Sequence, residues 1–200
     1  MNRFNNYVDK NSIELFIDEI EKNIESKNYL SALHLALSIP DMLGKIAYPE
    51  LHKNKPYIKW FDTYVRSNIF GLLYSDEFYA STGCPRICGK VCYALRCKLF
   101  HEGTNDLLQK TNINEFVISM SDDDFLTGDV AGKDYEFRKY NPETGEVPEV
   151  NYLYISCKIL CKDIVASAKE FVKSNPNLNY PKLRMNNGGG RINECWFIGF

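Results

Sequence analysis

Val91-Cys92-Tyr93-Ala94-Leu95-Arg96-Cys97-Lys98-Leu99-Phe100-His101-Glu102-Gly103 reads as the closing turns of an apolar helix. Cys88, Val91, Cys92, Leu95, Leu99 and Phe100 recur at helical spacing, which predicts a helix over 85–101 that opens at Pro85. Gly103 supplies the stop. Two residues in it ask for a reason. Arg96 is a cation on a helix with an apolar face, and His101 is one of three histidines in the chain. Arg86, Lys90, Arg96 and Lys98 make the segment basic, with no acidic residue between Gly83 and Phe100.

The segments before it are helical too. Ile13, Phe16, Ile17, Ile20 and Ile24 predict an amphipathic helix over 12–26, with Ser12 as its N-cap and Glu14 placed to suit the helix dipole. Residues 28–47 are apolar nearly all round, as in a helix central to a bundle. Pro40 should bend or restart that helix, because proline removes a backbone donor and crowds the preceding turn. His34, among leucines, reads as a hydrogen-bonded core residue. After a polar connection at 48–56, Tyr57, Ile58, Trp60, Phe61, Tyr64 and Val65 form an aromatic stripe that reads as core. Residues 67–83 read as irregular.

Beyond Gly103 the character changes. Residues 114–120 and 150–156 have strand composition, separated by an acidic, turn-rich stretch. Its Asp122-Asp123-Asp124 run lacks the alternating ligand spacing of a calcium loop. A β-hairpin or meander inserted at about 112–156 is expected. Residues 157–174 return to an amphipathic helix. Gly188-Gly189-Gly190, in the 175–200 tail, lacks the strand, lysine and hydroxyl residue of a phosphate loop. The fold expected is mainly α: one domain over 1–200, a helical bundle formed by 12–103 and 157–174.

Composition excludes several functions. With 200 residues and a net charge of −2 the chain has no general basic coat, so nucleic acid would be met by a local patch. No apolar run is long enough to span a bilayer, and nothing resembles a targeting segment, so a cytoplasmic protein is expected. The seven cysteines are odd in number and read as buried hydrophobes of a reducing compartment. Cys84, Cys88, Cys92 and Cys97 have no second ligand pair, so neither a metal site nor a cofactor is expected. No cysteine is flanked as an activated nucleophile, and no serine sits in a glycine-flanked turn.

Arg96 and His101 remain. Metal-free RNA cleavage needs an imidazole to move protons and a permanent cation on the phosphate, a task that arginine's planar fork suits. Five positions of an ideal helix turn the chain through about 140°, and a helix ending at Gly103 gives His101 room to swing toward the arginine.

Arg96-Cys97-Lys98-Leu99-Phe100-His101 resembles the R-x4-H motif of the HEPN superfamily, with Tyr93-Ala94-Leu95 before it and Glu102-Gly103 after it. Leu33-His34-Leu35-Ala36-Leu37-Ser38-Ile39-Pro40-Asp41 and Tyr57-Ile58-Lys59-Trp60-Phe61 are similar to segments of uncharacterised bacterial proteins bearing that motif. The resemblance covers about 12–103 and 157–174. It implies a HEPN-like bundle that forms a homodimer in which two motifs face one cleft. It also implies metal-independent RNA cleavage through the ribose 2′-hydroxyl, in a defence or toxin–antitoxin setting with an antitoxin or regulatory partner. Arg96 and His101 would then be catalytic, and Arg86, Lys90 and Lys98 would bind RNA. Cys97 stands where active members often carry a polar residue, and Gly103 where nucleotidylated toxins carry tyrosine. The alternative is a non-catalytic dimerisation or RNA-binding module.

Overall fold

The computed structural model describes residues 7–65, 87–101, 115–120, 129–135 and 149–186. They form a mainly α fold. Strand β1 (Tyr7–Asn11) leads into helix α1 (Ser12–Glu25), and Asn11 caps that helix by accepting the Ile13 N–H at 3.0 Å. The cap expected at Ser12 is therefore one residue earlier. Ser12 lies inside the helix, and both its N–H and its hydroxyl bond to the carbonyl of Pro181, near the other end of the described chain. α1 ends in a Schellman turn: the Lys27 N–H reaches Ile24 O and the Asn28 N–H reaches Asn23 O, with Lys27 at φ 59°. That turn sets α2 (Tyr29–Ala36) back against α1.

Pro40 restarts the chain as expected, in the first turn of α3 (Ile39–Ala47), where a missing N–H costs nothing. α4 (Lys55–Trp60) begins two residues earlier than the aromatic stripe suggested, with Pro56 in its first turn, and runs on into a π-helical turn, Phe61–Val65. The stripe is core: Tyr57, Trp60, Phe61 and Val65 are fully buried. α5 (Gly89–His101) starts later than Pro85. The start is set by tertiary contact, since the Gly89 N–H donates to Asp62 Oδ1 at 2.7 Å. Two glycines let these helices meet backbone to backbone. A Cβ at Gly44 of α3 would lie 2.5 Å from the Pro56 carbonyl oxygen, and one at Gly89 would lie 2.5 Å from that of Ile58.

α6 (Cys157–Ser174) matches its expected bounds and is capped by Ser156, whose hydroxyl accepts the Ile159 N–H. It closes the core. Leu160, Ile164, Ala168 and Phe171 are buried, and Phe171 meets the rings of Tyr64 and Trp60 at 5.0 and 6.0 Å. Burial of this apolar surface is the main stabilising contribution.

Both expected strands are present, as β2 (Glu115–Ser119) and β4 (Glu149–Ser156), with β3 (Asp129–Tyr135) between them in sequence. The order is β2-β4-β3, with β4 central, parallel to β2 and antiparallel to β3. The two expected strands do not form a hairpin or meander with each other, because β2 and β4 run parallel; the antiparallel partner of β4 is β3, which lies in the stretch read as turn-rich. A second sheet was not foreseen: β5 (Lys182–Asn186), in what reads as tail, pairs antiparallel with β1. The irregular reading of 67–83, the Asp122–Asp124 turn and the glycine run at 188–190 lie outside the described residues. Among the described residues no helix is long and apolar enough to cross a membrane.

Candidate functional site around Arg96

α5 presents two stripes. Val91, Cys92, Ala94 and Leu95 are buried against the bundle. Arg96 begins the other stripe, and Phe100, four residues on, lies above it, as i and i+4 residues do. Phe100 was expected on the apolar face, but it is 44% exposed. Five positions from Leu95 turn it away from the core, while four from Arg96 keep it beside the guanidinium. The Arg96 guanidinium carbon lies 5.3 Å from the Phe100 ring centroid, a cation–π contact of roughly 0.5–1 kcal/mol at an exposed site.

Arg96 is held from the far side by α3. Its Nη2 donates to Asp41 Oδ2 at 3.3 Å, and the two side chains are 22% and 27% exposed. The same Oδ2 accepts from Lys45 Nζ at 3.4 Å. Among the described residues, one carboxylate thus faces two cations. The Arg96 Nε is buried and has no hydrogen-bond partner among the described residues. The guanidinium is oriented, and part of its donor set is unspent.

Beneath it lies a layer of phenols and thiols. Tyr57 is fully buried, its ring 5.3 Å from that of Tyr93. Burial, with Cys92 next, pushes the Tyr57 hydroxyl well above its ordinary range; Arg96 acts in the opposite sense. Burial also raises Tyr93, with the half-buried Cys97 next as a cause. Both phenols therefore stay neutral, and Tyr57 Oη has no partner among the described residues.

α2 contributes an imidazole. His34 is half-buried and its ring meets Phe100 edge-on, at 4.9 Å between centroids and 70° between planes. It is hydrogen-bonded as expected, through Nδ1 to the Leu30 carbonyl at 2.8 Å. Its place is the rim of the Arg96 cluster, not the centre of the core.

The residues singled out from the sequence divide. Arg96 sits in this cluster. Lys90 is exposed and Lys98 half-buried; on an ideal helix they lie about 120° and about 160° around the axis from Arg96. The structure does not gather them with the arginine. Arg86 and the side chain of His101 lie outside the described residues, as do Cys84 and Cys195. Cys88, Cys92, Cys97, Cys157 and Cys161 are unbridged, and among the described residues no three His, Cys, Asp or Glu side chains are grouped to hold a metal ion. Asp41 and His34 were missed as site residues. Asp41 follows the Pro40 restart, and nothing local announces a partner 55 positions away.

The cluster can grip an anion with a preset guanidinium, offer a half-exposed aromatic ring beside it, and present an imidazole against the same ring. Comparison of the chain with protein-family models, with curated proteins and with solved structures finds no match.

Proposed function

We propose that the chain is a metal-independent endoribonuclease of HEPN type, cleaving RNA through the ribose 2′-hydroxyl as a homodimer, in a defence or toxin–antitoxin system with an antitoxin or regulatory partner. The observation that carries this reading is the state of Arg96. Asp41 and Phe100 orient its planar fork, and the side chain stays 22% exposed at a partly open edge. A preset cation beside a reacting phosphate stabilises developing charge without reorganising during the reaction. Arg96 binds the phosphate, and His101 takes part in proton transfer. Lys90 and Lys98, on other sides of α5, and Arg86 meet RNA backbone away from the phosphate that Arg96 holds.

The test is cleavage of labelled RNA by purified protein in excess EDTA. Wild type cuts, whereas Arg96→Ala and His101→Ala each lose about 10²-fold or more in rate with unchanged helical content. Undiminished cleavage by the double variant overturns the proposal.

A second reading, a dimerisation or RNA-binding module without cleavage, has the Arg96–Asp41 ion pair in its favour, since that pair ties α5 to α3. It predicts RNA binding without cutting, and an Arg96→Ala protein that is less stable but no different on RNA.

A further inference from the structure

The bond from His34 to Leu30 decides which imidazole nitrogen carries the proton. A carbonyl oxygen only accepts, so Nδ1, 2.8 Å from Leu30 O, must be the donor. In the neutral ring Nε2 is then the unprotonated nitrogen, one that the Leu30 bond does not use. This is the arrangement a general base needs: a backbone acceptor fixes the tautomer and leaves the opposite lone pair to take a proton.

Placement adds to tautomer. Phe100 is flanked by the His34 ring at 4.9 Å and by the Arg96 guanidinium at 5.3 Å. The imidazole and the cation therefore border one half-exposed ring, each held by its own helix. Among the described residues, the charged groups at this edge include Arg96 on α5 and Asp41 and Lys45 on α3. Along α5, by contrast, His101 starts about 140° around the axis from Arg96 on an ideal helix. Among the described residues, the imidazole that meets the same ring as the arginine is that of α2.

We propose that His34 is a second proton-transfer residue of the Arg96 edge, its Nε2 accepting the ribose 2′-hydroxyl proton. The inference rests on the endoribonuclease reading above. The step balances as follows. The 2′-oxygen gives its proton to His34 Nε2 and forms a bond to phosphorus while Arg96 holds the non-bridging oxygens. The bond from phosphorus to the 5′-oxygen breaks, and that oxygen takes a proton from His101, which starts as the imidazolium and ends neutral. A 2′,3′-cyclic phosphate and a free 5′-hydroxyl result.

The test uses the full chain in EDTA with an end-labelled, mixed-sequence single-stranded oligoribonucleotide, over a range of pH. His34→Ala is expected to lower kcat by about 10²–10⁴-fold with KM little changed. Its kcat/KM profile loses the fall on the acid side that wild type shows, and added imidazole restores part of the rate. His34→Gln, which retains an N–H able to reach Leu30 O, is the control for folding and is expected to be equally slow. If both variants keep the wild-type rate and acid limb while Arg96→Ala is inactive, this inference is overturned and the ribonuclease reading stands. A loss of rate with the acid limb intact and no response to imidazole also overturns it, because His34 then only packs. A wild-type protein that shows no arginine-dependent cleavage overturns the reading, and this inference with it.

Discussion

α5 and α6 lie against the same core and spend their polar groups differently. In α6 nearly every described polar contact ties the fold together. Ser156 caps the helix, Cys157 Sγ donates to Tyr29 O, Ser167 Oγ donates to Tyr64 O, and Lys169 pairs with Glu21 of α1 at 2.6 Å. In α5 one polar group, Arg96, sits at an edge where Asp41 of α3 pairs with it and His34 of α2 meets the same half-exposed Phe100. A helix whose side chains bond to distant backbone is a structural member. In the reading proposed above, the cation that α5 presents at its partly open edge is the group that binds phosphate.

Four substitutions break or sharpen that contrast, in descending order of effect on stability. Phe171→Ala in α6 removes a ring packed against Trp60 and Tyr64. It should cost about 3–5 kcal/mol, read as a fall in the denaturant midpoint. Gly89→Ala, at the start of α5, forces a Cβ against the Ile58 carbonyl. It should cost about 1–3 kcal/mol and, by shifting α5, should lower RNA cleavage as well, which Phe171→Ala at a temperature where it is folded should not.

Asp163→Asn has the opposite sign. Burial holds this half-buried carboxyl at about 6, against a smaller lowering by Lys162, and its Oδ2 has no partner among the described residues. Since the folded-state pKa is raised, the group contributes stability below its unfolded value near 4 and loses it as pH rises through 6. At pH 7–8 the asparagine variant should therefore be more stable, by about 1 kcal/mol once solvent screening is allowed for. That gain should vanish below about pH 4, which thermal midpoints across pH 4–8 will show. Asp41→Asn leaves Arg96 with a neutral neighbour and should cost less than about 1 kcal/mol, as partly exposed ion pairs do. Its effect on cleavage should exceed its effect on the thermal midpoint.

The contrast between the helices also marks how far the sequence could be read. The bounds of α6, the restart at Pro40 and the strands at 115–119 and 149–156 are local properties: apolar period, a missing N–H, β-branched and aromatic runs. They were legible for that reason. β1 and β5 were not, because Tyr7 pairs with Asn186 across nearly the whole chain and neither five-residue segment signals a partner. The parallel pairing of β2 with β4 was hidden in the same way. At the site, Arg96 stood out as a cation beside an apolar face. Asp41 and His34 looked like ordinary members of α3 and α2, and only packing brings them to the arginine.

The account turns on whether the Arg96 edge does chemistry or only ties α5 to α3. The most direct measurement takes both readouts from one preparation: RNA cleavage in EDTA and the thermal midpoint, for wild type and Arg96→Ala. The prediction is a cleavage rate lower by about 10²-fold or more with a midpoint shifted by only a few degrees. Cleavage unchanged by the substitution, or absent in wild type while the Arg96→Ala midpoint falls steeply, would contradict it.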